Sequence, residues 1–342
     1  MAMWKELIQK AIITQTGAIL LGRYIACDGF EWGRSIGAIT HAHWNHISEL
    51  EKSLGYCEKI LMTEATRDLL IAIKGDWLLF RTNLNSLPYR TVFEYEDEKI
   101  TLYPAEHMLG AAQVLVETLE GLRIVYTGDF FIPGTEPIES DVLVLDTTYG
   151  DPTNISTFSK EDSINQLASL IKKLIIQGPV HIVGSLGKIQ EVMSILFHND
   201  PNLPFIVSPK IFKVCNVYQR HGYKLGNLIL SQTDEGKELL KRKQPCIVFH
   251  TLGEQIESYP RIKISGYISN WEMAKPIMKI GENYWSVVFS NHADFNGIMY
   301  YVSEARPKFV ITDNKRACGK AMLAAQSIRL KFGIEALALP ML

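Results

Sequence analysis

The chain has no Cys-x-x-Cys pair. Its five cysteines, Cys27, Cys57, Cys215, Cys246 and Cys318, are scattered and odd in number. That usage speaks against a structural zinc ribbon and against a disulfide-stapled secreted scaffold, and it suits a reducing, cytoplasmic compartment. No stretch approaches the roughly 18 consecutive apolar residues of a membrane helix, so no membrane partner is expected. The opening Met1-Ala2-Met3-Trp4-Lys5-Glu6 lacks the basic, apolar, small order of a secretory leader. Basic residues are not in excess: 35 Lys and Arg stand against 37 Asp and Glu, a formal charge of −2, which leaves no global footprint for nucleic acid. No repeat recurs at solenoid spacing. What is present is ordinary globular material, 47% hydrophobic and 21% charged with 24 Gly and 14 Pro, which excludes collagen-like, low-complexity and disordered chains.

At 342 residues the chain is long enough for two domains, or for one with an insertion. Residues 11–150 are dense in short apolar runs. Strands are expected at Gly17–Leu21, Ile36–Thr40, Glu98–Tyr103, Gln113–Thr118, Arg123–Tyr126 and Val142–Leu145, with helices near Ile47–Leu54 and Glu64–Ile73. So many early strands with few helices between them suggest antiparallel pairing rather than a doubly wound sheet. From Asp151 the texture changes to helix–strand alternation: a helix at Lys160–Ile176 capped by Ser159, then Pro179–Gly184, Lys188–Phe197, Phe205–Val207, Lys210–His221 and Cys246–His250. After residue 270 short strands return at Trp285–Phe289 and Phe309–Ile311, with helices near Asn296–Glu304 and Met322–Lys331. The simplest organisation is one domain over 1–150 and 271–342, interrupted by a parallel α/β domain at 151–270.

Charge divides along the same cut. Residues 151–270 hold 14 Lys and Arg against 10 Asp and Glu, while the remainder holds 21 against 27. A basic insertion beside an acidic body suits a polyanion gripped by one part and metal held by the other. Nine histidines serve the whole chain, yet three fall in Ile39-Thr40-His41-Ala42-His43-Trp44-Asn45-His46, just past an expected strand end. Alternation aims His41 and His43 to one side, and a turn into a helix brings His46 in from another. Imidazoles clustered on a rigid corner are how zinc-type sites are built. His107 and Asp129 each follow a strand, and Phe289-Ser290-Asn291-His292-Ala293-Asp294 delivers a further histidine into a polar corner. Five histidines and an aspartate at strand ends match a centre for two divalent metal ions joined by an acidic bridge.

At these residues the chain resembles the metallo-β-lactamase-fold hydrolases, whose motifs are an Asp after an early strand, a His-x-His-x-Asp-His run, a later His and a bridging Asp. Asp28, residues 41–46, His107 and Asp129 fit them in order. More narrowly it resembles the β-CASP nucleases. Leu145-Asp146-Thr147-Thr148-Tyr149-Gly150 is similar to the signature that opens their inserted domain. Ser185-Leu186-Gly187-Lys188-Ile189-Gln190-Glu191 is similar to an element inside it. Ile264-Ser265-Gly266-Tyr267 and Ser290–Asp294 are similar to those at and after its close. The match runs nearly end to end. Length, and the lack of an N-terminal RNA-binding extension, place it nearest the ligase-associated DNA exonucleases and mRNA 3′-end processing factor-like proteins.

The resemblance implies a four-layer αβ/βα sandwich with an inserted α/β domain. It implies two divalent ions, zinc or manganese. The expected activity is hydrolysis of DNA or RNA phosphodiesters, with single-stranded nucleic acid as partner. A second copy of the chain and DNA-repair or RNA-processing proteins are further expected partners. On this pattern His41, His43 and His107 hold one ion, and His46, Asp129 and His292 the other, with Asn45 a weak contributor and Asp129 the bridge. Asp28 orients a ligand histidine. Asp28, Asp129 and His292 are the expected catalytic residues, Asp146 and Asp313 are expected at the seam that meets substrate, and Lys188 meets backbone phosphates. Two positions depart from the pattern. Asn45 stands where the family has Asp, keeping shape but losing charge, and Asp313 stands where relatives carry a histidine. Either the second metal site is retuned or it has decayed in a nucleic-acid-binding scaffold. A lactonase- or thioesterase-type metallohydrolase accounts for the ligands but not for the basic insertion.

Overall fold

The computed structural model describes residues 6–256, 260–266, 275–317 and 319–341. Tyr267, Cys318 and the expected boundary at 270–271 lie outside them. Two compact units form. One is built from the chain up to Ile71, Asp76–Ile155 and the chain from His292 on; the other comprises Ala72–Gly75 and Ser156–Asn291.

The first unit contains two sheets. One runs in the order β1 (Ala11–Ile13), β2 (Ile19–Leu21), β3 (Ile25–Cys27), β4 (Ile36–Ala38), β5 (Lys59–Met62) and β6 (Leu84–Ser86). Its first three strands pair antiparallel, but β3 to β6 are parallel, which corrects the antiparallel expectation for this region. Parallel neighbours need crossovers, and helices α1 (Trp44–Ile47), α2 (Leu50–Tyr56) and α3 (Glu64–Lys74) lie in them. The other sheet joins β7 (Val92–Tyr95), β8 (Glu98–Pro104), β9 (Ala112–Thr118), β10 (Arg123–Tyr126) and β11 (Val142–Leu145) to β19 (Phe309–Asp313) and β20 (Glu335–Leu339).

Period-two alternation shares this second sheet between two cores. Val114, Val116, Ile124, Tyr126, Val142, Val144, Phe309 and Ile311 face the first sheet and pack with Ile19, Leu21, Ile25, Ile36 and Leu61. The intervening Leu115, Val125, Leu143, Leu145 and Val310 face the other way, onto Ile298, Tyr301 and Val302 of α8 (Phe295–Ala305) and Ile328 of α9 (Lys320–Phe332). Both faces being buried, these strands read as continuous apolar runs. Helices, sheet, sheet and helices make a four-layer sandwich.

The second unit is a seven-stranded α/β sheet in the order β14 (Asn227–Leu230), β13 (Pro204–Val207), β15 (Ile247–Thr251), β12 (Val180–Gly184), β16 (Arg261–Ser265), β18 (Tyr284–Val288) and β17 (Ile277–Gly281). Every pairing is parallel except β17 with β18. Helices α4 (Lys160–Leu174), α5 (Lys188–Asn199), α6 (Pro209–Arg220) and α7 (Asp234–Lys241) connect the strands. Ser159 caps α4 in a reciprocal box with Asp162. Because β18 pairs with β16, the strand expected at Trp285–Phe289 belongs to this unit, which therefore runs to Asn291 rather than ending at residue 270.

Candidate metal centre

The donors lie where strands running the same way end. Asp28 follows β3, His41 and His43 follow β4, His107 follows β8, Asp129 follows β10 and Asp146 follows β11. His46 is on α1, whose N-cap is His43, with extended dihedrals of −72° and 147°. Gly128 sets up Asp129. Its φ is +57°, and a Cβ there would come within 2.7 Å of Ala112 O, so only glycine lets the chain turn. His292 lies ahead of α8, and the Ala293 N–H donates to Phe130 O at 2.7 Å.

Asp129 is the hub. Its Oδ2 lies 3.4 Å from His41 Nε2, 3.3 Å from His46 Nε2, 3.6 Å from His107 Nε2 and 3.8 Å from His292 Nε2. His43 Nδ1 lies 3.1 Å from His41 Nε2 and 3.0 Å from His107 Nε2. Two donor groups result: His41, His43, His107 and Asp129, and Asp129 with Asp146 and His292. Ligand atoms held tetrahedrally at about 2.0–2.1 Å from zinc stand about 3.3–3.4 Å from one another, a few tenths of an ångström from the 3.0–3.6 Å separations within the first group. His46 Nε2 is buried and makes no hydrogen bond, an orphaned lone pair or proton facing Asp129. The residues fit divalent ions.

One carboxylate fixes two tautomers. Asp28 Oδ1 accepts the Thr40 N–H at 2.8 Å. Its Oδ2 accepts Thr40 Oγ–H at 2.6 Å, His46 Nδ1–H at 2.7 Å and Tyr126 O–H at 3.0 Å. Since the Thr40 hydroxyl spends its proton on Asp28, it accepts from His41 Nδ1–H at 3.0 Å. Both histidines thus carry Nδ1 protons and turn Nε2 towards Asp129. Asp146 repeats the device: its Oδ2 holds His292 Nδ1 at 2.9 Å, while Oδ1 accepts from Thr148 N and Oγ.

Burial, reinforced by repulsion from His46, holds the His41 pKa well below its usual value. Burial would lower His46 too, but the carboxylates of Asp129 and Asp28 outweigh it and raise that pKa to about 9. Burial alone would raise Asp129; His46, His292 and His41 reverse this and hold its carboxyl well below the usual range. The hub is an anion among imidazoles, as a cation site requires.

The expected residues divide by place. His41, His43, His46, His107, Asp129 and His292 converge. Asn45 is exposed on α1. Asp146, expected to meet substrate, has its carboxylate engaged by His292 and Thr148. Asp313, expected beside it, is 3% exposed; its Oδ2 pairs with Arg316 Nη1 at 2.7 Å, and its Oδ1 accepts from the backbone of Lys315 and Arg316. Lys188 opens α5 in the second unit and is buried rather than solvated, its Nζ 2.6 Å from where a Cβ on Gly266 would stand. Thr40, Tyr126 and Arg316 escaped the sequence reading. Thr40 adjoins the histidine run and could have been weighed with it; Tyr126 reads only as a core residue.

Around the centre the surface is aromatic. Trp44, between His43 and His46, is 68% exposed. Trp32, four residues after Asp28, packs on Phe30 and Tyr56 with ring centroids 5.0 and 4.6 Å away.

No family model matches the chain. It is 41% identical over 138 residues to an "Uncharacterized protein in lig 3'region" of Acidianus ambivalens, a match covering 40% of this chain and 98% of that one. It is 23% identical over 362 residues to the "RNase J-like protein" of Methanocaldococcus jannaschii, 85% of each chain. A "Probable DNA ligase" of Opitutus terrae is 24% identical over 328 residues, which are 88% of this chain and 28% of the ligase. This chain therefore spans under a third of that ligase. A protein of unknown function from Enterococcus faecalis V583, known by crystal structure, shares the fold with a TM-score of 0.61 at 14% identity, over 92% of this chain and 81% of that one.

Fold and site together define a four-layer αβ/βα sandwich with a histidine–carboxylate centre at its strand ends and an inserted α/β unit. The chain belongs to the metallo-β-lactamase-fold β-CASP nuclease family.

Proposed function

We propose that this chain hydrolyses phosphodiester bonds of DNA or RNA at a centre for two divalent ions, of which zinc suits the donors best. The carrying observation is Asp129 Oδ2 standing 3.3–3.8 Å from the Nε2 atoms of four histidines. His41, His43 and His107 would hold one ion, His46 and His292 the other, and Asp129 both. Bound there, the ions would activate water near neutral pH and neutralise the charge that develops on the phosphoryl group. The chain's own part is positioning. Asp28 keeps protons on the Nδ1 atoms of His46 and, through Thr40, His41; Asp146 does so for His292. Asn45 is left out of both sets.

Nucleic acid as substrate is supported by the exposed Trp44 beside the ligands, on which an unpaired base can stack, and by the basic excess of residues 151–270. The names of relatives support a setting in RNA processing or beside a DNA ligase. Scattered cysteines support a cytoplasmic one; no helix among the described residues is long and apolar enough to cross a membrane. The test is metal analysis of purified protein, followed by assay on labelled single-stranded DNA and RNA, alongside His43→Ala. Two ions per chain with cleavage, both reduced in the variant, bear the reading out. Two ions with no cleavage of either polymer overturn the hydrolase reading in favour of a binding subunit.

A further inference from the structure

Asp28 holds the His46 side of the centre while its own backbone sits at φ +50°, a left-handed conformation unfavourable for a residue with a Cβ. Such a conformation persists only where its surroundings over-determine it. The Asp28 N–H donates to Ala38 O at 2.9 Å. On its other side the Asp28 carbonyl accepts from Arg316 Nη2 at 3.1 Å, and the same nitrogen donates to Gly17 O at 3.1 Å. Arg316 Nη1 is held by Asp313 Oδ2 at 2.7 Å, and both side chains are at most 10% exposed. Arg316 lies in the turn after β19, on the second sheet, and Asp28 follows β3 on the first. The guanidinium fork thus joins the rims of both sheets at the corner that orients His46.

We propose that Arg316, clamped by Asp313, is a positioning residue for the second ion: it fixes the Asp28 corner and through it the aim of His46. Stability alone is a poor account of the pair. Burying a guanidinium and a carboxylate strips both of water, and apolar residues of equal volume commonly serve stability as well. The fork is better explained by what it touches, because planar geometry with donors in two directions lets one side chain grip a carboxylate and two carbonyls. A lysine ammonium retains the charge without that geometry.

The inference rests on the reading of His46 as an ion ligand, so the experiment separates the two. Zinc affinity is measured for each of the two ions by competition with a chromophoric chelator, together with the melting temperature of the chelated protein, for the parent, Arg316→Met, Arg316→Lys and Asp313→Asn. Loss of a residue that orients a ligand weakens metal binding by roughly 10–100-fold. Arg316→Met is expected to weaken the second ion at least about tenfold and the first, whose His41 meets Asp28 only through Thr40, by clearly less, Arg316→Lys to fall between it and the parent, and Asp313→Asn to follow the same selectivity. Should Arg316→Met fail to fold, the other two variants carry the comparison. Equal weakening of both ions in step with melting temperature, or parental affinities in folded variants, overturns the role of Arg316. A parent that binds fewer than two ions overturns the proposed centre instead. A parent that binds two ions without cutting nucleic acid overturns the activity and leaves the positioning role standing.

Discussion

Replacing Asp28 with Asn separates the two services of that side chain. The substitution is isosteric, so no cavity opens. If the amide oxygen keeps the Thr40 N–H at 2.8 Å, the new NH₂ faces Thr40 Oγ, His46 Nδ1 and Tyr126 OH, which are donors to Oδ2 in the native protein. Both hydroxyls can rotate and accept. His46 can accept as well, but only by moving its proton from Nδ1 to Nε2, the nitrogen that faces Asp129. Four charge-assisted bonds become neutral ones, at a cost of about 1 kcal/mol each, so stability should fall by about 4 kcal/mol. Ion binding should suffer out of proportion, because a proton now occupies the His46 lone pair and a Thr40 hydroxyl that accepts from the amide no longer holds the His41 tautomer; a loss of roughly 10–100-fold at the second ion is expected, with a smaller loss at the first. Urea unfolding in chelator reads the first quantity and zinc competition the second. An Asp28→Asn protein that binds both ions with parental affinity would refute the tautomer argument, whatever its stability.

Two further outcomes are expected. Trp44→Ala should lower affinity for single-stranded DNA or RNA by about 1–3 kcal/mol if a base stacks there, with zinc content and the salt dependence of binding unchanged; unaltered affinity would remove Trp44 from the substrate path. In the second unit His181 Nδ1 and His250 Nε2 are 2.9 Å apart, and burial followed by repulsion from His250 lowers the His181 pKa to about 4. The unfolded chain therefore binds more protons between pH 6.5 and 4, so stability falls with acid across that window by at most about 3 kcal/mol, nearer 2 after solvent screening. His181→Asn should flatten that acid limb in urea midpoints, and an unchanged slope would show that the pair is not what titrates.

Legibility followed length and locality. β9, β10 and β11 alternate over four to seven residues between two cores and stand out in the sequence, whereas β1 and β3, with three residues each, show no period to read. β5, four residues opening on Lys59, shows too little alternation to read, and with it the parallel half of its sheet is hidden. The histidine run is local and announces itself. Asp146 on His292 is a contact across 146 positions and Tyr126 on Asp28 one across 98, and no spacing rule reaches that far. Asp313 marks a departure that the sequence exposes, but its engagement with Arg316 three residues on needs the turn after β19 to be seen.

The donors leave from both sheets: His41, His43 and His46 from the first, His107 and Asp129 from the second. Any ion they share is a tie across the open lip of the sandwich, and its binding energy becomes resistance to heat. At a free concentration one hundred times its dissociation constant, such an ion adds about 2.7 kcal/mol to folding. Chelated preparations should therefore melt early with every core side chain intact. A survey of variants in ordinary buffer would score lost ligands as damaged packing, unless each melt is repeated with ion in excess and with ion withheld.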